Sequence, residues 1–171
     1  MDSINDSKFT EYTIHSWVKL SNYTDFGTIF GTATDGRTWL GIDSEGFIQF
    51  RAFVGNKLYS TPLQNDTKAV LDVWYHVAAT YSETEDSLRL YVNGTLTANT
   101  TIVSSHSIKT AGSKNYICRG QNGDYLNGTV DNVAVWGRTF SDDEIRFLFN
   151  STSFCNKDFN SSKNWTSSIN G

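Results

Sequence analysis

The feature that most constrains the fold of this chain is an alternation of apolar and polar residues with a period of two. In the segment 48–54, four apolar residues alternate with Gln49 and Arg51, and the segment 88–93 repeats the pattern. Such alternation is typical of β-strands that bury one face. Further strand-like runs cover residues 12–20, 27–32, 39–43, 57–61, 74–81, 115–119 and 129–137.

Turn-forming residues separate these runs. Asn93-Gly94 and Asn127-Gly128 are pairs that tolerate the positive φ angles of tight hairpins. Many short strands at near-regular spacing predict an all-β, antiparallel two-sheet sandwich. The length of 171 residues favours one domain, which we place at residues 1–154. We expect the Asn- and Ser-rich tail, 155–171, to pack on the sandwich or to extend from it.

One short helix is predicted near the C-terminus. Ser141 can cap its first turn, and Glu144 three residues later completes a capping box. Phe140 and Ile145 are spaced to form a hydrophobic staple across the cap. We expect the helix to end near Asn150.

Nine Asn-X-Ser/Thr triplets indicate where the protein is located. With 15 Asn and 39 Ser plus Thr in the chain, chance would give about three. Such an excess favours a secreted or surface-displayed protein, on a cell or a virion, that carries N-linked glycans. The alternative is that these residues are simply abundant in a turn-rich β protein. The acceptors are Asn5, Asn22, Asn65, Asn93, Asn99, Asn127, Asn150, Asn160 and Asn164.

Composition excludes several classes of partner. The net charge is −4 with no basic stripe, which argues against nucleic acid. No apolar run approaches the length needed to cross a bilayer, so we expect no membrane insertion of this segment. The polar start at Met1 lacks a signal-peptide pattern. If the protein is secreted, we expect the signal to have been removed and this segment to be part of a larger chain.

The two cysteines, Cys118 and Cys155, allow a single intramolecular pairing. Their spacing fits no zinc-site pattern. In an oxidising compartment a disulfide closing this loop would contribute about 3–4 kcal/mol. The alternative is two separate buried thiols.

The order of several phrases resembles a known family. Residues 12–19 read YTIHSWVK, residues 74–81 read WYHVAATY, and residues 88–94 read LRLYVNG; GDYLNGTVD and VAVW follow at 123–131 and 133–136. This order is similar to the laminin-G-like, concanavalin A-like jelly-roll family, close to its pentraxin branch, over about residues 9–149. The resemblance implies a jelly-roll topology. Family members usually carry a strand before the phrase that here starts at Tyr12, and this chain has little room for it.

Catalysis is not predicted. Glycosidases of this fold use two carboxylates facing the scissile bond, and no strand here shows acid-X-acid alternation. The acids of residues 83–86 fall in a predicted hairpin, and those of 142–144 fall in the first turn of the helix, where the dipole favours them. His15, His76 and His106 lie on separate segments without a nucleophile motif.

Asp131 is the candidate calcium ligand. It shares strand parity with Val133 and Val135, which predicts a carboxylate that points towards an apolar side and needs a cation or N–H donors. Relatives often hold a structural Ca²⁺ with an acid at the matching position. The alternative is a carboxylate satisfied by backbone N–H groups. Asn122 and Asp124 are a second loop pair to consider.

Glycan binding would use exposed aromatic rings near strand ends, together with amides and acids. The candidate ligand-binding residues are Trp39, Tyr59, Asn122, Asp124 and Tyr125. The alternative for each aromatic side chain is packing, as expected for Trp17, Trp74 and Trp136.

The sequence thus predicts a non-enzymatic extracellular recognition or adhesion module that binds a glycan or a surface protein, with no cofactor except a possible structural Ca²⁺. One alternative is a purely structural, glycan-coated module of a cell envelope or a eukaryotic virus particle. A second alternative is a polysaccharide-cleaving enzyme.

Overall fold

A computed structural model describes residues 10–32, 38–55, 57–63, 67–103, 115–120 and 125–153. They form two five-stranded antiparallel sheets and one helix. Sheet A has the strand order β10-β1-β6-β7-β8, and sheet B has the order β5-β4-β3-β2-β9. The elements are β1 Glu11–Leu20, β2 Phe26–Thr32, β3 Thr38–Asp43, β4 Ile48–Val54, β5 Lys57–Ser60, β6 Trp74–Ser82, β7 Ser87–Val92, β8 Thr95–Thr101, β9 Asn115–Ile117, β10 Gly128–Trp136 and α1 Asp142–Ser153. The predicted jelly-roll sandwich is confirmed.

The core lies between the two sheets and is built from the alternating apolar residues. In β4 the side chains of Ile48, Phe50 and Val54 are fully buried, while Arg51 between them is only partly buried. On the opposite sheet, Leu88 and Leu90 of β7 are equally buried. Burying alternate residues of facing strands removes apolar surface from water, which is the main force that holds the two layers together.

Strand β8 was not predicted. It follows the Asn93-Gly94 turn, where both residues have positive φ angles of 51° and 75°. These angles fit the type I′ turn that joins twisted antiparallel strands. The strand sequence is rich in threonine and has little apolar alternation, so only the turn signals it.

Helix α1 lies against the outer face of sheet A. Ser141 N–H donates to Glu144 Oε2 at 2.9 Å and Glu144 N–H donates to Ser141 Oγ at 3.3 Å, which confirms the capping box. The stapling residues Phe140 and Ile145 pack with Ala78 and Tyr91 in a second apolar cluster. The helix ends at Ser153 rather than near Asn150.

The tail 155–171 lies outside the described residues, and so does Cys155. Cys118 forms no disulfide with any described residue, and burial raises the pKa of its thiol. The predicted bridge therefore stays a prediction. No helix in the described ranges is long and apolar enough to cross a bilayer.

The two outer faces of the sandwich differ. The outer face of sheet A is covered by α1, whereas no described helix covers the outer face of sheet B. Among the described residues, the outer face of sheet B is therefore the one on which the strands are left uncovered.

Candidate ligand-binding face

One row of residues crosses all five strands of sheet B on its outer side. Strand register aligns Tyr116, Gly31, Trp39, Arg51 and Ser60 as successive partners. Residues paired in this way project from the same face of a sheet. The side chains of Trp39 and Arg51 therefore lie on the side of sheet B that faces away from the core.

Trp39 lies flat on the sheet because Gly41 leaves room for its ring. A Cβ atom added to Gly41 would stand 2.4 Å from the indole of Trp39. The indole Nε1–H donates to Thr28 Oγ1 at 2.9 Å, which fixes the orientation of the ring. Trp39 is only 8% exposed, so the prediction of an exposed stacking ring at this position is wrong.

Arg51 covers the indole and creates the exposed part of the site. Its guanidinium carbon lies 4.8 Å from the ring centroid of Trp39 and 5.4 Å from that of Phe26. Arg51 Nε–H donates to Gln49 Oε1, and Gln49 Nε2–H donates to the carbonyl of Thr61 at 3.1 Å. Burial lowers the pKa of Arg51, with an opposing effect from Asp43. These contacts hold the cation in place.

Phe26 supplies the accessible aromatic surface. Its side chain is 42% exposed at the start of β2, and its ring meets that of Trp39 edge-on at 6.1 Å. Asp43, its partner in β3, accepts the backbone N–H groups of Glu45 and Phe47. We call Phe26, Trp39, Gln49 and Arg51 the aromatic–arginine cluster.

A second cation–aromatic group lies at the β9 edge of the same sheet. The guanidinium carbon of Arg119 is 5.3 Å from the ring centroid of Tyr116 and 5.9 Å from that of Tyr125. Tyr125 is 60% exposed. The prediction that Tyr125 presents an accessible ring is therefore correct in geometry, and its ligand-binding role stays a prediction.

The remaining predicted ligand-binding residues do not assemble into this face. Tyr59 is 5% exposed and belongs to the core, where its hydroxyl accepts the N–H of Val103, so its prediction as an accessible residue is wrong. Asn122 and Asp124 lie outside the described residues.

Asp131 is exposed, and the parity argument for it is wrong. On the core side, Val130 of β10 pairs with Val18 of β1, and Val135 pairs with Ile14. The two pairs are five residues apart in β10 and four residues apart in β1, so β10 contains one extra residue. This β-bulge, with Asn132 at a φ of 51°, places Asp131 opposite Trp17, on the outer face. Its Oδ1 accepts the N–H of Asn132 at 2.7 Å. Calcium binding at Asp131 stays an untested prediction.

The described sequons avoid sheet B. Asn93, Asn99 and Asn150 lie on the sheet A side, at the β7–β8 turn, on β8 and on α1. Asn22 and Asn127 lie together at one end of the sandwich, where the N–H of Asn22 donates to the carbonyl of Asn127. All five are exposed. Asn5, Asn65, Asn160 and Asn164 fall outside the described residues.

The acids that come together near α1 are engaged in structural contacts. Glu11, Glu85, Asp142 and Glu144 line a shallow depression of about 460 Å³. Glu11 accepts from Ser82, Glu85 pairs with Arg89, and Asp142 accepts from Tyr91. Glu144 caps the helix and pairs with Arg138, whose hydrogen bond helps lower the pKa of Glu144 to about 2. Each of these four acids therefore has a structural partner within the described residues.

His15 and His76 meet in a buried pair, which the sequence analysis missed. Burial lowers the pKa of His15 to about 4 and, together with the charge of His15, that of His76 to about 3. The pair lies under α1, where His15 is 4% exposed and His76 is fully buried. The sequence did contain a signal for this pair. His15 and His76 each alternate with core residues along their strands, so both side chains point to the outer face of sheet A.

Sequence relatives and similar folds agree with this architecture. The chain is 27% identical over 156 residues to Pentraxin-related protein PTX3 of Mus musculus, covering 84% of this chain and 40% of that protein. A putative carbohydrate binding protein of Bacteroides ovatus has a similar fold, with a TM-score of 0.65, 21% identity, and coverage of 81% of this chain and 40% of that one.

Another similar structure is domain 4 of an extracellular arabinanase of Geobacillus stearothermophilus, solved in complex with arabinotriose. It has a TM-score of 0.63 and 16% identity, and the match covers 82% of this chain and 66% of that domain. Other similar structures are described as toxin binding domains. At these identities the likeness to solved structures shows the fold alone.

The chain spans about two fifths of the pentraxin-related protein that it matches. A laminin G family model, described as the concanavalin A-like lectin/glucanases superfamily, matches residues 2–146. The chain therefore belongs to the laminin G family of the concanavalin A-like lectin/glucanases superfamily.

Proposed function

We propose that this chain is a non-enzymatic carbohydrate-binding module of an N-glycosylated extracellular protein, and that it binds its ligand on the outer face of sheet B. The observation that carries the proposal is the aromatic–arginine cluster. It lies on the one outer sheet face that has neither a described helix nor a described sequon.

The chemistry of the cluster suits a sugar. A pyranose ring presents apolar C–H groups on one face and hydroxyls at its edge, and protein sites meet these with an aromatic ring and a few fixed polar groups. The half-exposed ring of Phe26 offers the first. The guanidinium of Arg51, which Gln49 holds in place, offers the second.

The fixed geometry of the cluster favours binding. Arg51 has a long side chain that would lose rotamer freedom when it contacts a ligand. Here two rings and Gln49 already hold it, so most of that entropy is lost on folding rather than on binding.

The similar proteins support the ligand class. The Bacteroides protein is described as carbohydrate binding, and the arabinanase domain was solved with an arabinose oligosaccharide. The extracellular location and the glycan coat are supported by the nine sequons and by the exposure of the five that are described.

The test is a glycan array followed by titration of the best ligand, using protein made in a glycosylating host. Two phenylalanines make a matched pair of variants. Phe26 lies in the cluster at 42% exposure, and Phe147 lies on α1 at 70% exposure, on the opposite side of the sandwich. We expect Phe26→Ala to weaken binding about tenfold or more and Phe147→Ala to leave it unchanged.

The array is read in CaCl₂ and in EGTA, because Asp131 remains a calcium candidate. Loss of binding in EGTA that is reproduced by Asp131→Asn would assign the metal site. An absence of glycan binding in both conditions would contradict the proposal and favour the structural, glycan-coated module.

A further inference from the structure

We infer that the outer face of sheet B selects acidic saccharides. Arg51 binds the carboxylate of one sugar, and Arg119 binds a second sugar of the same oligosaccharide. This inference rests on the proposed function and names the class of sugar that the site takes.

The first step is that no carboxylate among the described residues forms an ion pair with Arg51. Its Nε–H is used by Gln49, and no described residue accepts a hydrogen bond from either of its terminal nitrogens. The ion pairs formed by Arg89, Arg138 and Arg146 show that other arginines of the chain do have carboxylate partners. Within the described part of the chain, Arg51 is therefore a fixed cation whose terminal nitrogens have no acceptor.

The second step is that the nearby acid is already engaged. Asp43 is close enough to act on the charge of Arg51, but its Oδ1 accepts the N–H groups of Glu45 and Phe47 in the β3–β4 turn. Asp43 thus stabilises the turn, and no ion pair joins it to Arg51 within the described residues.

The third step concerns the chemistry of the ligand. A guanidinium that is partly removed from water gains most from an anionic acceptor, because the acceptor replaces the lost hydration. The two terminal nitrogens of arginine form a planar fork that matches both oxygens of a carboxylate. A neutral sugar hydroxyl can accept one hydrogen bond from the guanidinium, but it matches neither the charge nor the paired donors of the fork.

The fourth step is the charge distribution of the sandwich. On the outer side of sheet B the strands carry one cation, Arg51, and one acid, Asp43, because Lys57 pairs with the core residue Val54. The strands of sheet A together with α1 carry five acids and three Lys or Arg residues. In a chain of net charge −4, the face that holds the cluster is therefore the less negative of the two. It repels an anionic ligand less than the outer face of sheet A does.

The fifth step gives the length of the ligand. Tyr116 and Arg51 occupy the same row with β2 and β3 between their strands. Three strand spacings amount to about 14 Å. Arg119 lies over Tyr116, so a second acidic sugar a few units away can reach it.

The experiment compares ligands that differ only in charge. Oligogalacturonates are titrated against their methyl esters, and sialyllactose against lactose, which distinguishes uronic acid from sialic acid as the source of the carboxylate. We expect the acidic member of at least one pair to bind about tenfold or more tightly in low salt.

Variants then locate the effect. Arg51→Gln should remove the preference for the acidic ligand, and Arg51→Lys should restore only a small part of it because the fork is lost. Arg119→Gln should weaken long oligogalacturonates and leave dimers unaffected. Arg146→Gln, on α1 at the opposite face, is the matched control. Circular dichroism establishes that each variant is folded.

Equal binding of acidic and neutral ligands would overturn this inference and leave the proposed function standing. Tighter binding of sulfated than of carboxylated sugars would overturn the assignment of the carboxylate. Failure to bind any glycan would contradict both proposals together.

Discussion

His15 Nδ1 lies 3.2 Å from His76 Nε2, on adjacent strands beneath α1. The ring of His15 stacks on Trp136 at 4.8 Å, and that of His76 lies 5.9 Å from Phe149 of the helix. His76 Nδ1 is buried and has no hydrogen-bond partner among the described residues. The pair fits its site only as two neutral rings.

We predict that acid weakens the packing of α1. The folded-state pKa values, about 4 for His15 and about 3 for His76, lie below the ordinary value of 6.5. The unfolded chain therefore takes up protons first as the pH falls. The stability that the neutral pair contributes is complete above pH 6.5 and is lost between pH 6.5 and about 3, the lower of the two folded-state pKa values. We expect a loss of about 5 kcal/mol between pH 7 and pH 4.5, because each histidine contributes about 1.4 kcal/mol for each of the two pH units below 6.5.

Urea unfolding at the two pH values measures this loss. The double variant His15→Gln with His76→Gln is the control, because acid affects the carboxylates equally in both proteins. An equal loss of stability in the variant and the unsubstituted protein would show that the histidines are not responsible.

Gly41→Ala is predicted to destabilise the protein and to disrupt the ligand-binding face. The new Cβ would lie 2.4 Å from the ring of Trp39 and 2.6 Å from the carbonyl oxygen of Gly27. We expect a cost of about 2–4 kcal/mol and a loss of ligand binding. Gly31→Ala is the matched control, with its nearest atom a methyl of Thr28 at 3.3 Å. Thermal unfolding compares the two, and similar melting temperatures would contradict the position assigned to the indole.

Ser141→Ala is predicted to cost about 1 kcal/mol, because it removes the side-chain oxygen that caps the first turn of α1. Arg146→Ala on the same helix breaks only an exposed ion pair with Asp143, and we expect a change within about 0.5 kcal/mol. Chemical denaturation of both variants measures the difference. A cost for Arg146→Ala that equals that of Ser141→Ala would contradict the cap.

The strands of the core were predictable because alternation and burial follow the same period. Ile48 and Phe50 carry that signal within β4 itself. The side to which Asp131 points was not predictable, because a bulge inserts one residue into β10 and reverses parity beyond it. The bulge is set by pairing with β1, more than 100 residues away, and no local pattern reveals it.

The candidate site was predicted only in part. Trp39 was named, but its burial depends on Arg51, one strand away, and on the missing side chain of Gly41. Arg51 was available as an outward-facing member of its strand, whereas Phe26 lies one residue before the predicted run 27–32. The sequence contained no signal that these residues come together, because that depends on the register between β2, β3 and β4.

Removing the N-linked glycans is predicted to leave ligand binding unchanged. The described sequons lie on the sheet A side or at one end of the sandwich. Intact mass before and after enzymatic deglycosylation counts the occupied sites, and titration of both forms compares their affinities. Thr95→Val removes the Asn93 sequon without altering the Asn93 side chain, which accepts the N–H of His76. Lost binding after deglycosylation would contradict the assignment of the free face to sheet B.

The most direct test of the account is an NMR titration of the protein with its best glycan ligand, following the side-chain N–H signals of Trp39 and Arg51. The account predicts that these two signals shift with a common affinity, while the indole signals of Trp17 and Trp136 beneath α1 do not move. Shifts confined to the helix side, or unchanged Trp39 and Arg51 signals at saturating ligand, would contradict it.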